Sequence, residues 1–184
     1  KWTLQILEAL IYAQQSGILH LNLNPANIII TSSQDIKIFG FGKDPQSWKY
    51  ANPEDNKYHP VLFIAPEVFL GHKPFDFRAD LYSVGVISYL LFCGQLPWYL
   101  DHRLSPSAQK NKTLDQIVIN PHILGKLIPE WLFKILNKAL MIEPSLRFNN
   151  AEEMHSAIIS ERDIPYVPCT IKSNIISSQK TSVE

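Results

Sequence analysis

The amino-acid sequence predicts a mainly α domain that carries one small β-hairpin. Three observations predict it. Residues 2–15, "WTLQILEALIYAQQ", place Ile6, Leu7, Leu10 and Ile11 on one face at helical spacing. Two short β-branched runs, Ile28–Ile30 and Ile36–Ile38, flank the turn-forming "TSSQD". Three further stretches, 80–93, 130–142 and 151–160, are apolar enough and long enough to be helices.

The elements follow in chain order. Ser16-Gly17 ends the opening helix, glycine being free to take the left-handed turn there. Residues 40–65 are irregular, because Pro45, Pro53 and Pro60 prevent any long element. From Asp80 to Cys93 the chain is apolar on nearly all sides, which predicts a helix buried on most sides until Gly94 and Pro97 stop it. Residues 101–113 read as a loose polar stretch. "EWLFKILNKALMI" at 130–142 and "AEEMHSAIIS" at 151–160 are the last helices, the second with Asn149 or Asn150 as its N-cap. The end, "SNIISSQKTSVE", is polar and aperiodic and reads as a flexible tail over 166–184.

Composition narrows the function classes. The chain has 184 residues, 46% of them hydrophobic, long enough to bury one sizeable core. Seventeen basic and seventeen acidic side chains balance, which argues against a nucleic acid or an anionic membrane as partner. The longest apolar run, around "VGVISYLLFCG", is too short to span a bilayer. Cys93 and Cys169 match no metal or redox spacing, and Cys93 falls inside an apolar stretch as a small buried hydrophobe would. With no signal peptide visible, the expected location is cytoplasmic. The chain begins at Lys1 rather than Met, and its start reads as a cut.

The hairpin is bracketed by two polar loops, the place where a scaffold presents chemistry. Before it lies His20-Leu21-Asn22-Leu23-Asn24-Pro25-Ala26-Asn27, and after it Gly40-Phe41-Gly42. Further on come Ala65-Pro66-Glu67, Asp80-Leu81-Tyr82-Ser83-Val84-Gly85, Gly94-Gln95-Leu96-Pro97-Trp98 and "EPSLRF" at 143–148. Each signature alone is common by chance. Six in this order resemble the large C-terminal lobe of the eukaryotic-type protein kinase family, whose catalytic loop reads H-R-D-L-x-x-x-N and whose later loops read D-F-G and A-P-E. The resemblance runs from about residue 3 to 160 and implies a protein kinase-like C-lobe over 1–165. No G-x-G-x-x-G loop is present, so the resemblance also implies an N-terminal lobe upstream.

Position by position, the resemblance separates two sets. The catalytic Asp position holds Asn22, whose amide can orient a hydroxyl but cannot take its proton. The metal-loop Asp position holds Gly40, with no side-chain ligand, which leaves Asn27 as the one weak metal or cofactor contact. Asn24 stands where many members place a phosphate-contacting Lys, and Pro60 where they place a Thr. Asp35 and Asp44 are the acids near enough to be considered as stand-ins. The retained set is of another kind. His20, Phe41 and Gly42 match residues that hold the two loops, Asp80 the buried helix residue behind them, and Glu67 with Arg147 an ion pair that ties the segment end to the late helices.

This split implies a catalytically impaired pseudokinase lobe that acts as an interaction or regulatory module. Its partners would be other proteins, met around 43–63 and 100–125, with no cofactor required. The alternatives are a divergent Ser/Thr kinase that uses ATP and Mg²⁺ once joined to an N-lobe, and a decayed kinase fragment. The segment 43–63 offers Ser47, Tyr50 and Tyr58 but no Thr, and Leu21 replaces the Arg that would receive a phosphate. No loop-phosphorylation switch of that type is expected.

Overall fold

The computed structural model describes residues 1–51, 58–101 and 103–166. The expected tail therefore lies almost wholly outside the described residues, as do Cys169 and positions 52–57 of the loop segment. Eight elements carry the fold: α1 (Trp2–Gln15), β1 (Ile28–Ile30), β2 (Ile36–Ile38), α2 (Pro66–Leu70), α3 (Arg78–Cys93), α4 (Pro106–Thr113), α5 (Glu130–Ala139) and α6 (Ala151–Ile159). The architecture is mainly α with one hairpin, as the sequence predicts.

α1 buries Thr3, Ile6, Leu7, Leu10 and Ala13. It closes in a Schellman turn: Gly17 at φ +68 donates its N–H to the Gln14 carbonyl, and Ile18 donates to that of Ala13, both at 2.9 Å. The hairpin pairs Ile28 with Ile38, Ile29 with Lys37 and Ile30 with Ile36, antiparallel. Its turn is knit by Thr31, whose N–H donates to the Asp35 carbonyl at 2.8 Å while its hydroxyl accepts from the Asp35 N–H at 3.1 Å.

α3 is the core of the domain, and every residue from Ala79 to Tyr89 is buried. It starts two residues before the expected Asp80, with Asp76 bonding the Arg78 N–H at 2.9 Å. At Gly85 the two helices approach closely: a Cβ there would stand 3.0 Å from the Ala139 Cβ and 3.2 Å from Leu140, so a side chain would press both aside. That close approach locks α3 against α5. α6 packs on α1 and is capped by Asn150, whose side-chain oxygen accepts from the Glu153 N–H at 2.7 Å. Glu153 in turn accepts from the Asn149 N–H at 2.8 Å, so the two neighbouring asparagines share the helix start.

One expectation is corrected. Residues 106–113, read as loose, form α4, with Pro106 in the first turn and the Ser105 hydroxyl accepting from the Ala108 N–H at 3.3 Å. The helix has no apolar stripe because its two buried side chains are Lys110 and Thr113, so periodicity could not reveal it. The five-residue α2, inside the Ala65-Pro66-Glu67 signature, likewise has too few residues to show a period.

Candidate functional site

The two loops around the hairpin converge behind the start of α3. His20 is fully buried, and its imidazole bridges them. Nδ1 faces the Asn22 N–H at 3.4 Å, and Nε2 lies 2.9 Å from the Phe39 carbonyl; the matching tautomer accepts at Nδ1 and donates at Nε2. The ring also packs on Phe41, with centroids 4.6 Å apart. Burial pushes the imidazole below its usual pKa, with the Phe39 carbonyl opposing, so the ring is neutral in the fold.

Leu21 sits at φ +58, a conformation that costs a branched residue about 1–3 kcal/mol. The twist aims two successive N–H groups at one carboxylate. His20 donates to Asp80 Oδ2 at 2.8 Å and Leu21 donates to Oδ1 at 2.7 Å. Burial nonetheless raises the Asp80 carboxyl to about 6, since the two donors only partly replace lost water.

Three asparagines close the loop on itself. The Asn22 carbonyl accepts from the side chains of Asn24, at 2.7 Å, and Asn27, at 2.8 Å. Asn24 Oδ1 accepts from the Ala26 N–H at 3.0 Å and so caps the 3₁₀ turn Pro25–Asn27. The Asn22 side chain reaches outward and donates to the Ser47 hydroxyl at 2.8 Å. Ser47 opens a second 3₁₀ turn, anchored by buried Trp48, whose ring packs at a tilt against Phe69 with centroids 5.5 Å apart.

Gly40 takes φ +90 beside Asn27, and a Cβ there would lie 3.4 Å from Asn27 Oδ1. The donor set around this point is one amide oxygen, with no carboxylate. Asp35 is held in the hairpin turn by Gln5 at 2.9 Å, Ser33 at 2.9 Å and Lys1 at 3.1 Å, which keep its carboxyl down at about 2. Asp44 accepts from the Gln46 N–H at 2.9 Å within its own turn. Among the described residues, no group of three His, Cys, Asp or Glu side chains could hold a metal ion. This chemistry does not fit a Mg²⁺ ion that bridges phosphates, which takes carboxylate oxygens in an octahedral shell.

The second constellation lies on the other flank of the same helix start. Arg147 is buried, and all five of its N–H groups are engaged. Nη1 and Nη2 grip Glu67 at 2.8 and 2.7 Å. The remaining three donate to the carbonyls of Arg78 at 2.9 Å, Ile142 at 2.9 Å and Met141 at 2.7 Å. One guanidinium thus ties α2, the first turn of α3 and the end of α5 together. Of the residues singled out in the sequence, His20, Asn22, Asn24, Asn27, Gly40, Phe41 and Asp80 meet in one cluster, and Glu67 with Arg147 forms the other. Gly42, at φ +71, has no neighbour that a Cβ would meet and serves the turn through its backbone alone. Ser47 was not legible as part of the site, since nothing at a separation of 25 residues marks it as the partner of Asn22.

Comparison with known proteins agrees with this geometry. The protein kinase domain family matches residues 1–159. A probable serine/threonine-protein kinase of Clostridium acetobutylicum is 31% identical over 151 residues, which is 82% of this chain and 22% of that protein. One from Clostridium perfringens is 28% identical over 98% of this chain and 26% of its own length. Human MAP kinase-activated protein kinase 2 is 30% identical over 88% of this chain and 41% of its own length. The chain thus spans well under half the length of these relatives. With the motif order, the paired loops and the Glu67–Arg147 tie all in place, the chain belongs to the protein kinase family.

Proposed function

We propose that the chain is the C-terminal lobe of a pseudokinase, an interaction module whose catalytic loop has become a structural joint. One observation carries this reading: where the family's chemistry needs two carboxylates stand Asn22, whose amide is engaged with Ser47, and Gly40, which has no side chain, while the Asn27 amide is spent on the Asn22 carbonyl. Losing a general base alone costs about 10²–10⁴-fold. The absence of a carboxylate at Gly40 removes the reason for a phosphate-bridging metal to bind there. The lobe occupies 1–165 and needs neither ATP nor Mg²⁺.

An N-terminal lobe upstream would cover the apolar surface that the hairpin leaves bare. Ile29, Ile30 and Phe39 are about half exposed, and a groove of about 680 Å³ opens between α1 and β2 beside Phe41. Protein partners would meet the lobe around 43–63 and 100–125, where Tyr50, Ile117 and Ile123 are exposed. Nucleic acid is not among the partners. Among the described residues no helix is long and apolar enough to cross a membrane.

A second reading, a divergent Ser/Thr kinase, draws on the same contact. Asn22 holds a hydroxyl at 2.8 Å, as an orienting group would, and positioning carries much of phosphoryl transfer. A thermal titration of the full-length protein separates the two. The pseudokinase reading expects no Mg²⁺-dependent stabilisation by ATP. A gain near ~2.7 kcal/mol at a hundredfold excess over Kd would overturn the ligand-free reading. Labelled phosphate on a protein substrate, lost on Asn27→Ala, would establish the second.

A further inference from the structure

Lys110 has no exposed surface, yet it lies in α4, a short and mostly polar helix. Its Nζ stands 4.8 Å from the Tyr82 ring centroid and 5.4 Å from that of Trp98, two rings stacked within 18° of parallel. Among the described residues the one hydrogen bond of Nζ is to the Tyr82 hydroxyl, at 3.4 Å. The same Tyr82 ring already carries a cation, since Arg147 Cζ lies 5.1 Å from its centroid. A charged Lys110 is drawn to both rings, but it shares the Tyr82 ring with Arg147, and a single long hydrogen bond stands in place of its lost water. A neutral amine has no such difficulty and can accept the Tyr82 O–H.

We propose that Lys110 makes the seating of α4 a proton-sensitive joint, with the helix docked when the amine is neutral and released when it is charged. The groups that face it are Tyr82 from α3, Arg147 and Glu67 beyond it, and His59, which precedes the turn Pro60–Leu62 packed against α4. On the outer side of the helix, Lys112 pairs with Asp101 at 3.7 Å. Burial pushes the Lys110 ammonium down to about 7, with Glu67 opposing and Arg147 adding to the shift. The sign follows from that direction. A released lysine binds its proton near ~10.4, so the ratio of released to seated helix rises about tenfold for each pH unit lowered between there and about 7, then levels off. α4 borders the surface proposed for partners, so a released helix changes what that surface presents. The inference stands whether or not the lobe transfers phosphate.

NMR on the full chain tests it, following the methyl groups of Ala108 and Thr113 and the Trp98 ring from pH 9.5 to 6. All three are expected to move together in the wild type and in His59→Asn, and to stay fixed in Lys110→Met. Signals that are invariant with pH in the wild type, or that move equally in Lys110→Met, would overturn the proposal. Should Lys110→Met fail to fold, the ¹³Cε resonance of Lys110 in the wild type decides. Titration near neutrality supports the joint, and titration at the ordinary lysine value ends it.

Discussion

The two polar constellations that flank the start of α3 are built on opposite principles. Around Arg147 a full positive charge is buried, and every donor it owns finds an oxygen, the five being spread over three separate parts of the chain. Around Asn22 the groups are neutral amides that bond mostly to one another and to the adjacent backbone. The first joins distant parts of the chain and so carries stability. The second holds the shape of a single loop and so carries little. On the pseudokinase reading proposed above, the former is expected to be kept and the latter to drift.

Five substitutions, at four positions, press on that contrast. Arg147→Met is expected to have the largest effect, about 3–5 kcal/mol by chemical denaturation, since it strands Glu67 and three carbonyls. A loss below that of any asparagine variant would dissolve the distinction. Asp80→Ala comes next, at about 1–3 kcal/mol for each of the two N–H groups left without an acceptor. Asp80→Asn adds a pH signature. The native carboxyl, raised to about 6, holds its proton more tightly than the unfolded one at about 4. Its contribution is therefore complete below pH ~4 and lost as pH rises through about 6, and Asp80→Asn should flatten that slope in a denaturation series.

Gly40→Ala sharpens the other side. At φ +90 a side chain costs roughly 1–2 kcal/mol. An unchanged melting curve would mean that the loop gives way to the Cβ. Ser47→Ala is expected to be smallest, about 0.5–1.5 kcal/mol, and its readout is faster proteolysis of the segment around Trp48. A cost equal to that of Arg147→Met would place the Asn22 contact among the pillars of the fold.

What the sequence disclosed follows from what repeats along it. α1, α3, α5 and α6 show apolar periods, and the hairpin shows alternating runs about a turn, so their places were legible to within about three residues. α2 is too short for a period. α4 is seated by a lysine stem and a threonine, which in a one-dimensional reading look solvated. The site divides the same way. His20, Asp80, Glu67 and Arg147 were visible because their order and spacing form a signature. The Asn22–Ser47 contact and the setting of Lys110 depend on chain segments brought together only by the fold.

From His20 to Gln34 the chain carries no acidic or basic side chain other than the neutral, buried imidazole. Mutually repelling carboxylates need a counter-ion to bring them together, whereas this loop is already at rest. Its geometry should therefore be indifferent to ionic strength and to chelators, and a surface shaped by it would look the same to a partner in any salt the cell provides.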